Sequence, residues 1–187
     1  MKDFAHNEYV IWVELNDSCK EYLNKKCVEL ESDHIKPGVG PPHMTLTFVK
    51  TEHPEELKQY TESFVNKNIM DIILNSISMF PAGVLFYAPQ VTKELLLLHE
   101  EYCRGISDFG ELSWELYVPG KWVPHVALTG ELDAIERVRA FSIMNEGFIP
   151  MSSSDDNRVL VKHCLTGETL LDLPFLQNTK GRFNEEG

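Results

Sequence analysis

The chain has no early apolar run. It opens Met-Lys-Asp-Phe-Ala-His-Asn-Glu, and its longest purely aliphatic stretch is the four leucines at 95–98. A secretory leader and a membrane-spanning helix both need much longer apolar segments, so a soluble, cytoplasmic protein without a membrane partner is expected. Basic residues are scarce beside acidic ones. Seventeen Lys and Arg stand against twenty-nine Asp and Glu, a net charge of -12, and a field of that sign repels polyanions at long range. A broad face for duplex DNA is disfavoured; a small phosphorylated ligand, or a strand end in a locally basic cleft, is not. Cysteines are few as well. Cys19, Cys27, Cys103 and Cys164 form no Cys-x-x-Cys pair, which argues against a zinc knuckle or redox dithiol and leaves reduced, mostly buried thiols as the expectation. The seven histidines include no His-x-x-x-His spacing, so no metal or other cofactor is expected.

What is present is ordinary globular material: 187 residues, 43% hydrophobic and 25% charged, enough for a real core in one monomeric domain over 1–187. A β-rich segment at 9–15 is followed by Asn16-Asp17-Ser18, which supplies caps for a helix to about residue 30. Glycines and prolines over 34–42 force a loop. Met44, Leu46 and Phe48 then alternate with His43, Thr45 and Thr47, the period of a strand with one buried face. A helix is expected from Pro54 to about 66, two strands over 70–80 and 84–88 joined by Pro81-Ala82-Gly83, and a helix over 91–106. A second alternating segment begins at His125 and ends at Gly130. A helix over 132–145 and strands near 148–152, 159–165 and 169–175 complete the pattern.

One short self-similarity runs through this order. Pro42-His43-Met44-Thr45-Leu46-Thr47 matches Pro124-His125-Val126-Ala127-Leu128-Thr129 at Pro, His, Leu and Thr. Each copy opens a strand after a Pro/Gly loop and is followed by a helix, and about half of the chain surrounds each. Two lobes built around the His43 and His125 strands would face a shared cleft. Residues i and i+2 of a strand point the same way roughly 6.6–7 Å apart, so a His and the hydroxyl two residues on can reach one phosphate. One neutral imidazole could take a proton from water while the opposite imidazolium gives one to a leaving oxygen.

These paired strands resemble the two-histidine phosphoesterase superfamily, with its two His-x-Thr/Ser-x motifs, and within it the 2'-5' RNA ligase-like family. The order of strands and helices along most of the chain, and the segment 83–88 followed by 95–99, are similar to that family's. The resemblance implies an α+β, bilobal duplicated fold with two mostly antiparallel sheets around a central cleft. It also implies a metal-independent enzyme hydrolysing a 2',3'-cyclic nucleotide or RNA end, or acting on 2'-5' linkages, with His43 and His125 as the acid/base pair and Thr45 on a phosphate oxygen. The chain departs from the family pattern at Ala127, where Thr or Ser is usual. A methyl cannot donate, and the lost charge-assisted hydrogen bond is expected to cost about 1.5–3 kcal/mol. Lys121, or a main-chain amide, is the expected substitute, since Thr129 lies roughly 13 Å further along the strand.

Trp122, Tyr117 and Tyr87 are candidates for stacking on a base. Lys36, Lys50, Arg158 and Lys162 are sources of local positive potential. His53 and His99 read as surface residues. Two rival functions follow: cleavage of a cyclic or 2'-5' oligonucleotide signal, and, favoured by Ala127, a degenerate module that holds a nucleotide phosphate without turnover.

Overall fold

The computed structural model describes residues 4–177. In chain order the elements are β1 (Glu8–Glu14), α1 (Asp17–Ser32), β2 (Met44–Lys50), α2 (Pro54–Val65), β3 (Ile72–Met79), β4 (Leu85–Pro89), α3 (Lys93–Ile106), β5 (Glu111–Leu112), a 3-10 turn (Glu115–Tyr117), β6 (Val126–Ala127), α4 (Ala134–Asn145), β7 (Met151–Ser153), β8 (Arg158–His163) and β9 (Thr169–Pro174).

Local chemistry starts each helix. The Asn16 side chain accepts from the Cys19 amide at 3.1 Å, and the Thr92 hydroxyl from the Leu95 amide at 3.1 Å. Pro54 sits in the first turn of α2 with Glu55 and Glu56, where a missing N–H costs nothing and the helix dipole favours acids. Asp133 and Glu136 cap α4 reciprocally. Among the described residues no helix is long and apolar enough to cross a membrane.

The strands form one antiparallel sheet in the order β7-β3-β4-β6-β2-β1-β8-β9, with β5 paired to β2. This one sheet has two four-stranded halves, β9-β8-β1-β2 and β6-β4-β3-β7, joined edge to edge where β2 meets β6, in place of two separate sheets. The order β-α-β-α occurs twice, as β1-α1-β2-α2 and β4-α3-β6-α4. After α2 the chain crosses into the second half as β3, and after α4 and β7 it returns to the first as β8, beside β1. This exchange makes the fold duplicated and bilobal while keeping the sheet continuous.

One face of the sheet is covered by helices: α3 packs on β2, and α4 on β3 and β4. Met44, Leu46, Tyr87, Val126 and Leu128 are buried there, each aliphatic side chain contributing about 1.5–3 kcal/mol by leaving water. The second motif's strand is shorter than its alternation suggested. Regular pairing ends at Ala127, after which the backbone is held by Leu128 N–H to Leu85 O at 3.1 Å, Gly38 N–H to Leu128 O at 3.0 Å and Gly130 N–H to Lys36 O at 2.9 Å. β4 supplies the first of these partners and the 34–42 loop the other two, Gly38 and Lys36, so the loop takes the place of a strand at that point.

Candidate active site

Met44 lies directly opposite Val126 where β2 and β6 run antiparallel. Continuing that register by one residue sets His43 across from Ala127 and Thr45 across from His125. Directly paired residues share a face, and so do residues two apart on a strand. His43, Thr45, His125 and Ala127 therefore form a two-by-two set on the face away from the helices. The histidines occupy one diagonal, about 7–8 Å apart by strand geometry, a separation on the scale of a tetrahedral phosphate held between two rings.

The two imidazoles are held in the same way. His43 Nδ1 lies 2.7 Å from the Pro41 carbonyl oxygen, and His125 Nδ1 lies 2.7 Å from that of Val123. A carbonyl only accepts, so each Nδ1 carries the proton and donates it, which leaves each Nε2 with a free lone pair. Their ring contacts differ. His43 is stacked on Trp12, centroids 3.8 Å apart and planes at 21°, whereas His125 meets Phe80 edge-on at 4.8 Å, Phe86 at 5.4 Å and Tyr117 at 6.1 Å.

Gly40 lets the 34–42 loop close over this side. Its φ is +72°, and a Cβ there would lie 3.2 Å from Trp12 Cη2, so a side chain would meet both a strained backbone and the indole that carries His43.

Burial is the main cause that lowers both histidines from their ordinary value near 6.5. His43 is brought down to about 4, with His125 and Lys162 adding repulsion against a charged ring. His125 is lowered by burial alone, against the opposing effect of its bond to Val123. Both rings are neutral at neutral pH. Among the described residues no group of three His, Cys, Asp or Glu side chains is placed to hold a metal ion.

The hydroxyls separate into a free one and two occupied ones. Thr45 is buried, and no protein partner for its hydroxyl exists among the described residues, so its donor is available to a ligand. Thr47 donates to the Tyr117 carbonyl at 3.2 Å, and Thr129 accepts from the Leu85 amide at 2.9 Å. Both are structural.

Four sequence expectations are corrected here. Tyr87 does not stack on a ligand: it pairs with Val126 on the helix-facing side, is fully buried, and donates to the Met144 carbonyl at 2.7 Å. Trp122 is a packing residue, buried with Nε1–H on the Thr45 carbonyl at 2.9 Å and its ring stacked on His99 at 4.1 Å. His99 is accordingly buried, not a surface residue, with Nε2 3.0 Å from the Leu46 carbonyl. Lys121 is exposed and ion-paired with Glu115, so it does not replace the hydroxyl missing at Ala127. Cys19 and Cys103 are buried, and Cys27 and Cys164 half-buried, all as free thiols.

Trp12, Phe80 and Phe86 were not singled out by the sequence, although each touches a motif histidine. Phe86 pairs with Ala127 and Trp12 with Thr45, so both share the histidine face. A β-bulge between Ile11 and Trp12 resets the β1–β2 register next to Thr45, and bulges re-aim side chains in this way. Nothing in the local sequence marks it.

Residues 29–163 match the family model described as the 2'-5' RNA ligase superfamily. Several solved structures have a similar fold. A protein described as a phosphoesterase aligns at TM-score 0.56 and 12% identity, covering 92% of this chain and all of the other. E. coli LigT complexed with 3'-AMP aligns at TM-score 0.55 and 13% identity, covering 91% of this chain and 95% of LigT. No curated protein sequence matches. With its paired motifs and the family model spanning both of them, the chain belongs to the 2'-5' RNA ligase superfamily, within the two-histidine phosphoesterases.

Proposed function

We propose that the protein is a metal-independent phosphodiesterase that opens a cyclic phosphodiester, a 2',3'-cyclic nucleotide or RNA end, between His43 and His125. The observation that carries this reading is the matched pair of imidazoles, each with Nδ1–H fixed on a carbonyl and Nε2 free, set diagonally on one sheet face beside the unused Thr45 hydroxyl. The 3'-AMP held by LigT supports a nucleotide as the ligand class.

The roles follow from the surroundings. His43, lowered to about 4 and close enough to Lys162 to feel its charge, stays neutral and acts as base. Its Nε2 takes a proton from water as the water oxygen bonds to phosphorus. His125 has no neighbouring cation among the causes of its shift. Binding of the anionic phosphodiester favours its imidazolium, and Nε2–H then protonates the ribose oxygen as the P–O bond breaks. A phosphomonoester with one free ribose hydroxyl results. Thr45 donates to a non-bridging oxygen, where negative charge grows in the transition state.

A second reading has one observation in its favour. Ala127 leaves the position opposite His43 without a donor, which suits a module that holds a nucleotide phosphate and does not turn it over. Incubation with 2',3'-cyclic AMP, with and without a chelator, separates the two. The phosphodiesterase reading expects equal product in both; tight binding with no product over hours selects the binding module, and a strict divalent-ion requirement rejects the mechanism above.

A further inference from the structure

Lys162 stands on the same face as the histidines. In the β1–β8 register Trp12 pairs with Leu160 and Val10 with Lys162, so Lys162 and Trp12 share a side while Val159 and Val161 point into the core. Its ammonium sits 4.9 Å from the centroid of the Trp12 ring, the ring on which His43 is stacked.

In a chain of net charge -12, cations on these strands are normally matched. Lys50 faces Glu111 at 3.6 Å and Arg158 faces Asp172 at 2.7 Å. Lys162 has no carboxylate within ion-pair distance among the described residues and is half-buried. A cation–π contact positions the ammonium without neutralising it, so its charge stays available to an anion. Trp12 is on β1, between β2 on the His43 side and β8, which carries Lys162, and this strand spacing sets the charge apart from an anion held at His43 Nε2.

We propose that Lys162, held by Trp12, forms a second anion subsite that takes the phosphate on the 5' side of the reacting nucleoside, making the preferred substrate an oligonucleotide end and not a free nucleoside cyclic phosphate. The placement of the reacting phosphate rests on the two-histidine reading. A 5'-side phosphate has two sources, a terminal 5'-monophosphate or an internucleotide link. A single ammonium contacts a bridging diester as well as a free monoester, so the subsite accepts an internucleotide link, and the probes below distinguish the two sources.

Equilibrium binding tests the subsite without needing turnover. The probes are 3'-AMP, adenosine 3',5'-bisphosphate, and the dinucleotide ApAp, each carrying the 3'-phosphate that the histidine site takes. The intact protein should bind the bisphosphate and ApAp about tenfold more tightly than 3'-AMP. Lys162→Met should collapse both preferences to about one, Lys162→Arg should keep them, and Lys93→Met, an exposed lysine on α3, should leave them unchanged. Equal affinity of the intact protein for all three probes overturns the subsite. So does an equal loss on all three in Lys162→Met, which would assign Lys162 to the reacting phosphate or to folding. A preference for the bisphosphate but not ApAp overturns the oligonucleotide assignment. Absence of hydrolysis of 2',3'-cyclic AMP, measured separately, counts against the catalytic reading alone.

Discussion

Met44 pairs with Val126 at the seam between the two halves of the sheet, and this contact decides which side chains of the two motifs meet. By that register Ala127 stands opposite His43, at the position where a hydroxyl would complete the symmetry with Thr45 and His125. Ala127→Thr should therefore add a donor to the bound phosphate. A charge-assisted hydrogen bond of about 1.5 kcal/mol corresponds to roughly a tenfold fall in KM for 2',3'-cyclic AMP. Steady-state kinetics measure it, and an unchanged KM in a well-folded variant would show that position 127 does not face the substrate.

Two of the motif threonines, Thr45 and Thr129, should divide by phenotype. Thr45→Val removes a hydroxyl that no protein group uses, so the melting temperature should hold while phosphate affinity falls roughly tenfold. Thr129→Val strands the buried Leu85 amide, a loss of about 1–3 kcal/mol in stability. Calorimetry beside kinetics separates these outcomes, and a large stability loss in Thr45→Val would contradict its assignment to the ligand.

The pH dependence has a defined sign. The base His43 must be neutral, so kcat/KM should rise with pH through about 4. The acid His125 must be protonated, and burial lowers it from its ordinary value of 6.5, so kcat/KM should already be falling by neutral pH. A bound phosphodiester favours the imidazolium, which moves the falling limb of kcat to higher pH than that of kcat/KM. Stability should change oppositely to a salt-bridged histidine. The unfolded chain binds protons near 6.5 that the folded state refuses, so stability is full above 6.5 and declines as pH falls toward 4. The slope is up to about 1.4 kcal/mol per pH unit for each such histidine. His99, also lowered by burial, adds to that decline. pH titrations of activity and of melting temperature check both, and a stability maximum below pH 5 would contradict the assignment.

Much of this was legible in the sequence because it is local. The alternation of Met44, Leu46 and Phe48 with His43, Thr45 and Thr47 marked β2, the cap at Asn16 marked α1, and the repeated Pro-His segment marked the candidate site. What was not legible depends on pairing between distant strands. Phe86 and Tyr87 are neighbours, yet only Phe86 faces the histidines, because Ala127 pairs with Phe86 and Val126 with Tyr87. The likeness of Thr129 to Thr47 could not reveal that its hydroxyl is bound to Leu85 N–H across the seam. His99 did carry a signal: it lies on the buried Leu95, Tyr102 and Ile106 side of α3, a periodicity outweighed in the sequence reading by the glutamates beside it.

The central claim is that two imidazoles from the two halves act on one phosphorus. Its most direct test is the hydrolysis of 2',3'-cyclic AMP by His43→Ala, His125→Ala and the double variant, each checked by circular dichroism for an intact fold. General acid and general base catalysis each contribute about 10²–10⁴-fold, and residues that act as a unit are not additive. Each single variant is expected to lose about a thousandfold in kcat, with the double variant little worse than either. Wild-type turnover in either folded single variant would contradict the account.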